Sequence, residues 1–341
     1  MNLNKLKYTF VLIVLTILSC NKNEIGPQFP EESEKIEGAS GFWILNEGLW
    51  NWGSASVSFY DTQRKQMSNL VYQTKQNTPL GDVLQSLFFK NEYRFLVLNN
   101  SHKVKMCSNE MELIKDFDGF NSPRYMEHLS GSEYLVSSLY GKQVYKLNTT
   151  TNEISTFLDV PDWTEKMIKY DPFIILEHKS FSNTKPEDQK IYKVDSTGVI
   201  VDSLEILDPH SELTKMNNSK FCFISEQDTK SKLWICDTAL NTQTFNIPER
   251  VSQISYSENM IYMAGQNLWS FNISTSEFKN LRSLKDKTIY GLYSSNDGYV
   301  YLCDAKDYVS SGDFLIYSTI TESIIDSVKT SIIPSEIYFE K

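Results

Sequence analysis

Seven short apolar runs in this chain end in side chains able to hold a polar molecule. They are Asn46-Glu47, Asn99-Asn100, Ser138 with Tyr140, His178-Lys179, Glu226-Gln227, Gln266, and Asp304 with Lys306. A second series begins the runs that stand before them: Asp82 and Gln85, Pro123-Arg124-Tyr125, Trp163 and Glu165, and Tyr290. Trp50 and Trp52 share the loop after the first run. Amides and carboxylates hold a ligand by hydrogen bonds, and an Arg guanidinium presents a planar fork of donors. Aromatic rings add stacking. Together these groups suit a large polar molecule that also has flat apolar surfaces.

The same residues suit catalysis less well. The sequence has four histidines, His102, His128, His178 and His210, and no HExxH, GxSxG, CxxC or Gly-rich phosphate loop. His178 is the histidine placed toward the ligand-facing rim, with Glu177 or Glu226 within possible reach. A single histidine there reads as a hydrogen-bonding group, so the chain is read as a binding protein and not an enzyme. Asp304-Ala305-Lys306-Asp307 lacks EF-hand spacing, which leaves metal binding undecided. No cofactor is required.

Strands must position these residues. From Gly41 onward helical periodicity is nearly absent, and Val, Ile, Tyr, Phe and Leu recur in short runs. Turn pairs such as Tyr140-Gly141, Thr197-Gly198, Asn217-Asn218 and Asp297-Gly298 separate them. The runs group into seven units of roughly 40 residues with four strands each, the spacing of a β-propeller. Each second strand is clear: GFWILNEG, EYRFLVLNN, EYLVSSLYG, DPFIILEHK, SKFCFISEQ, NMIYMAGQ and GYVYLCDA. A first strand stands before units two to seven but not before Gly41. The missing strand is expected at 334–339 (PSEIYF), where it closes the ring and removes the open sheet edges. The fold class is therefore all-β, a seven-bladed β-propeller over 41–341. Antiparallel neighbours bring the end of each second strand beside the start of each first strand. The two residue series above then converge on one rim of the central channel.

The N-terminus reads MNLNKLKYTFVLIVLTILSC. Lys5 and Lys7 precede an apolar stretch too short to span ~30 Å of hydrocarbon. Ile17-Leu18-Ser19-Cys20 resembles a bacterial lipobox, which implies cleavage of 1–19 as a signal peptide and lipidation of Cys20. Residues 20–40 are polar and aperiodic, and read as a tether.

The chain carries 33 basic and 43 acidic side chains. Removing Lys5 and Lys7 with the leader leaves 31 against 43, a formal charge of −12. That disfavours nucleic acid and anionic lipid as partners, so contact with the membrane is expected through the anchor alone. Cys107, Cys222, Cys236 and Cys303 sit in apolar runs and read as buried thiols, although a Cys222–Cys236 bond is open.

Across 41–126 the order and spacing of Asn46-Glu47-Gly48, 54–61 (SASVSFYD), 79–86 (PLGDVLQS), Asn99-Asn100-Ser101 and 122–125 (SPRY) carry a resemblance. The chain resembles the surface-layer-like, YVTN-type β-propeller lipoproteins. That group includes outer-membrane lipoproteins that capture vitamin B12 and pass it to a TonB-dependent transporter. The resemblance implies a lipid-anchored protein at the cell surface and a transporter partner. It also implies a cobalamin-like corrinoid or other chelate on the propeller face, as bound ligand. Beyond 126 the likeness is architectural. Two other readings stand beside it: an adhesion or structural propeller that binds a protein or glycan, and a propeller lyase or hydrolase.

Overall fold

The computed structural model describes residues 30, 33, 35, 38–181 and 189–340. Cys20, the leader and most of the tether lie outside them. Seven antiparallel sheets of four strands are arranged around a central channel. In six sheets the strands follow chain order from the channel outward. In the first, Pro334–Glu340 is the inner strand, followed by Gly41–Asn46, Ser56–Asp61 and Gln66–Ser68. Ile44 lies opposite Ile337 and Phe42 opposite Phe339. The ring is thus closed by the C-terminal strand, as the sequence predicts. The closing contacts differ in one respect: Ile337 is buried but Phe339 is 39% exposed.

Burial explains why the second strands were the clearest signal. Blades stack face to face, so a middle strand is covered on both faces and reads as a continuous apolar run. All six residues of Gly41–Asn46 are buried. The outer strand Ile200–Glu205 is exposed along most of its length. Between blades two and three, Phe95, Val97, Val104, Phe117, Met126, Tyr134 and Tyr145 form one of seven such clusters. Each large side chain buried there contributes about 1.5–3 kcal/mol relative to exposure.

The third strands end where a side chain takes over from the ladder. Asp195 Oδ1 accepts from the backbone N–H of Thr197 at 2.8 Å and of Val199 at 3.0 Å. Asp61, Asn148, Asp237 and Asn272 hold equivalent turns. A short carboxylate or amide there satisfies turn donors that the sheet leaves unpaired.

Three features depart from the sequence reading. A short six-residue helix, Val71–Gln76, stands after the short outer strand of blade one. Ser33 and Lys35, read as tether, lie against the propeller. The Asn69 backbone N–H donates to Ser33 Oγ at 2.8 Å, and Lys35 Nζ is 3.4 Å from Glu110 and 4.9 Å from the Phe59 ring centre. The inner strand of blade five shrinks to Thr214–Lys215, with a lone bridge between His210 and Ser225. The four described cysteines are buried and free, with Cys222 opposite Ile235 and Cys236 opposite Phe221. No helix of the described residues is long and apolar enough to cross a membrane.

Candidate functional site at the channel mouth

Near its start, every inner strand carries one residue more than the strand it pairs with. Gln85 is the extra residue between the pairs Leu84–Leu98 and Ser86–Val97. Arg124 and Tyr125 face Ser137 alone, and Glu165 and Lys166 face Glu177 alone. Ser252, Tyr290 and Ser335 are the extra residues of blades six, seven and one. In blade five, residues 211–213 oppose 223–224. An inserted residue breaks the in–out alternation and re-aims a side chain. Here Gln85, Arg124, Lys166, Ser211, Ser252, Tyr290 and Ser335 all line one cavity of about 680 Å³ that runs into the channel.

Neighbouring blades fix these bulges. Ser86 Oγ donates to the Arg124 carbonyl at 2.6 Å, and Asn99 Nδ2 donates to the Pro123 carbonyl at 3.2 Å. Thr164 Oγ1 accepts from the Ser138 N–H at 2.9 Å. The lining side chains are then linked across the channel. Arg124 Nε and Nη2 reach the two oxygens of Glu165 at 2.9 and 2.6 Å, and Arg124 also donates to Gln85. Tyr125 donates to Glu212 and lies 3.2 Å from Glu336 Oε1. Lys166 Nζ is 3.3 Å from Glu212, and Lys179 Nζ is 3.0 Å from Glu177.

Five carboxylates (Glu47, Glu165, Glu177, Glu212, Glu336) thus share the site with the cations Arg124, Lys166 and Lys179. This imbalance and burial keep some carboxyls protonated near neutrality. Burial pushes Glu47 up to about 7, against the pull of Arg124. Glu177, with no exposed surface, is pushed up to about 8, and Lys179 at 3.0 Å does not overcome that desolvation. Glu336 is raised by burial and by Glu212 beside it, whereas Lys166 and the Tyr125 hydroxyl hold Glu212 down. Burial drives His210 well below its usual range, so it is neutral 3.3 Å from Glu177.

Aromatic rings surround this polar floor. Trp50 is 55% exposed and Trp52 67% exposed. Their loop is held by three contacts to neighbouring loops and within itself. The Asn51 N–H donates to Asp82 Oδ2 at 2.8 Å, Asn100 Nδ2 donates to Asn51 Oδ1 at 3.0 Å, and the Leu49 N–H donates to Ser54 Oγ at 2.7 Å. Gly48 starts the loop with φ +75°, and a Cβ there would lie 2.5 Å from the Ser54 backbone, so only glycine fits. On the far side Tyr140, Phe181 and Trp163 form a stack with centroids 5.4 and 5.3 Å apart. Lys179 and Arg124 lie 5.4 and 5.6 Å from the Trp163 ring.

The structure sorts the residues expected at the rim. Glu47, Trp50, Gln85, Asn99, Arg124, Lys179 and Tyr290 line the cavity. Tyr125 stands beside them through Glu212 and Glu336. Trp52, Tyr140 and Gln227 are exposed on the same rim, outside the cavity. Asp82 and Asn100 brace the tryptophan loop. Asn46 and His178 need correction. Asn46 has no exposed surface and donates to Ser58 Oγ at 3.0 Å while accepting from Thr330 at 2.9 Å, so it clamps blade one. His178 has no exposed surface either and packs 5.2 Å from the Tyr192 ring. Both stand at strand ends, but the alternation turns them into the sheet. Lys166, Glu212, Glu336 and Phe181 belong to the site but are not among the residues the sequence singles out. A charged residue beside an apolar run, as in Glu212-Leu213 and Glu336-Ile337, was the available signal.

No family model and no curated protein matches the chain. Solved structures do. A quinoprotein alcohol dehydrogenase-like protein from Bacteroides thetaiotaomicron superposes with a TM-score of 0.67 at 12% identity, over 88% of this chain and 78% of that one. Apo AztD from Citrobacter koseri gives 0.57 at 9% identity, over 88% and 97%. The dihydro-heme d1 dehydrogenase NirN gives 0.58 at 10% identity, over 92% and 79%. These are β-propeller proteins. At such identities the likeness is one of fold. They include enzymes and non-enzymes alike.

Proposed function

We propose that this protein captures a large polar ligand at the channel mouth and hands it to a membrane transporter. The observation that supports this reading most is the convergence of one bulge residue per blade on a charged cavity ringed by exposed aromatic side chains. A pocket of several hundred Å³ with a few convergent polar groups is an ordinary ligand site. The ring arrangement suits a molecule with a flat apolar body and peripheral amides or carboxylates, as in a cobalamin-like corrinoid or another metal chelate. Trp50 and Trp52 would stack on the body. Arg124 and Gln85 would meet a peripheral oxygen, and Glu47, protonated near neutrality, would donate to one. Cys20 would carry the lipid that holds the propeller at the outer membrane, cell-surface exposed, and a TonB-dependent transporter would receive the cargo.

The deciding experiment is a calorimetric titration of the protein with corrinoids, haem and ferric chelates. One class should bind at micromolar concentration or below. Trp50→Ala with Trp52→Ala should weaken it at least thirtyfold, which is ~2 kcal/mol. Equal affinity in the double variant would remove the site from this mouth. No binding by any chelate would favour an adhesion propeller, for which Trp52, Tyr140, Phe181 and Leu207 provide an exposed apolar rim.

A further inference from the structure

A second cavity, of about 640 Å³, opens on the opposite face at the seam between blades seven and one. Its walls come from the start of Gly41–Asn46, the turn after Ser56–Asp61, the turn between Ile289–Ser294 and Tyr299–Asp304, and Phe339. Six of the fourteen lining residues are aromatic: Phe42, Tyr60, Tyr293, Tyr299, Tyr301 and Phe339. Tyr293 alone also lines the channel cavity. Two carboxylates, Asp297 and Asp326, complete the lining with one cation, Lys65, which is exposed at the edge.

The hydrogen bonds of these carboxylates come from neutral donors. Asp326 accepts from the Tyr60 hydroxyl at 3.3 Å and from the Ser327 N–H at 2.8 Å. Asp297 accepts from Ser295. Among the described residues neither has a cationic partner within 4 Å, although the protein forms ion pairs at many other carboxylates. Aromatic faces attract a cation through the ring quadrupole, and more strongly where water is excluded. The seam therefore offers tyrosine and phenylalanine rings and two carboxylates, neither in an ion pair, against a single exposed lysine at its edge.

We propose that this seam cavity binds an organic cation, an alkylammonium group carried on an apolar body. The rings face the methylene or methyl groups around the nitrogen, and Asp297 and Asp326 supply the counter-charge. The site opens on the other face from the channel mouth and shares only Tyr293 with the cavity there.

The test uses choline and its neutral carbon isostere, 3,3-dimethylbutan-1-ol, with the full chain in detergent and saturation-transfer NMR on the methyl protons. Choline should saturate at millimolar concentration or below, and the isostere should bind at least tenfold more weakly. Asp297→Asn and Asp326→Asn should each weaken choline severalfold, and Tyr299→Leu should do the same. Both aspartates are at least partly exposed, so the amide variants keep the fold, which the melting temperature verifies. Trp50→Ala with Trp52→Ala should leave choline binding unchanged. Equal binding of the isostere would overturn the proposal, because the charge would then play no part. So would an unchanged affinity in both amide variants, a loss in the tryptophan variant, or no saturable choline signal at 20 mM.

Discussion

The Arg124 guanidinium lies flat along the Glu165 carboxylate, with Nε 2.9 Å from Oε2 and Nη2 2.6 Å from Oε1. The two residues come from inner strands of adjacent blades, and each sits on its strand's bulge. Glu165 is 1% exposed. The pair therefore ties blade three to blade four across the channel wall, in a place where water screens it little.

Removing one partner should cost more than the pair itself is worth. A buried charge left alone costs about 3–5 kcal/mol, whereas the intact pair roughly balances its own desolvation. Glu165→Ala is expected to lower stability by about 3 kcal/mol. The double variant Glu165→Ala with Arg124→Ala should cost clearly less than the two single changes added together. Urea unfolding of the four proteins in a double-mutant cycle measures this coupling. Additive losses would show that the two side chains act separately.

Deleting 334–340 should open the ring. It removes the buried side chains of Pro334 and Ile337, and with Glu340 the acceptor for Trp43 and Arg94. The expected loss is of order 3–6 kcal/mol, comparable with a domain's whole net stability. A thermal melt reads it directly. An unchanged midpoint would mean that the first blade holds with three strands.

Stability should fall as pH rises from about 5 toward 9. Glu177 is held up to about 8 in the fold against an ordinary 4.5, so its contribution is complete below 4.5 and is lost as pH passes about 8. A fully buried group shifted that far represents on the order of 3–5 kcal/mol. Glu47 acts in the same direction through about 7. Glu212 is shifted downward, so its contribution is present above 4.5 and is lost only in stronger acid, outside this window. Melting temperatures at pH 5.5 and 9 should differ, and Glu177→Gln should remove much of the difference. A flat profile in the wild-type protein would show that Glu177 is ionised throughout.

If Cys20 carries the proposed lipid, Cys20→Ala should release the protein from the membrane fraction. Fractionation without detergent is the measurement. A variant that still sediments with membranes would disprove lipid anchoring at this residue.

The ring was legible in the sequence because middle strands such as Gly41–Asn46 and Phe173–Lys179 are buried on both faces and cannot carry many polar residues. The closing strand was legible because Gly41 lacked a preceding run and 334–339 had one to spare. The bulges were not. One extra residue in an inner strand changes neither its composition nor its length noticeably. Only a pair such as Arg124-Tyr125 or Glu165-Lys166, polar on two successive positions, hints at it. Asn46 and His178 show the corresponding error. Position along a strand places a residue near the mouth, but the pleat decides whether it faces ligand or neighbour. The helix Val71–Gln76 is too short to display a period at all.

The bulges also separate two demands that usually compete for the same residue. A residue paired in the ladder must suit both its strand partner and whatever it touches. The inserted residue has no strand partner, so its side chain can be exchanged while the backbone pairs on either side stay in place. Gln85, Ser252, Tyr290 and Ser335 are thus sockets more than structural members. Under the proposed binding role, re-tooling the mouth for another molecule would need changes at a handful of such positions, with the ring itself left untouched.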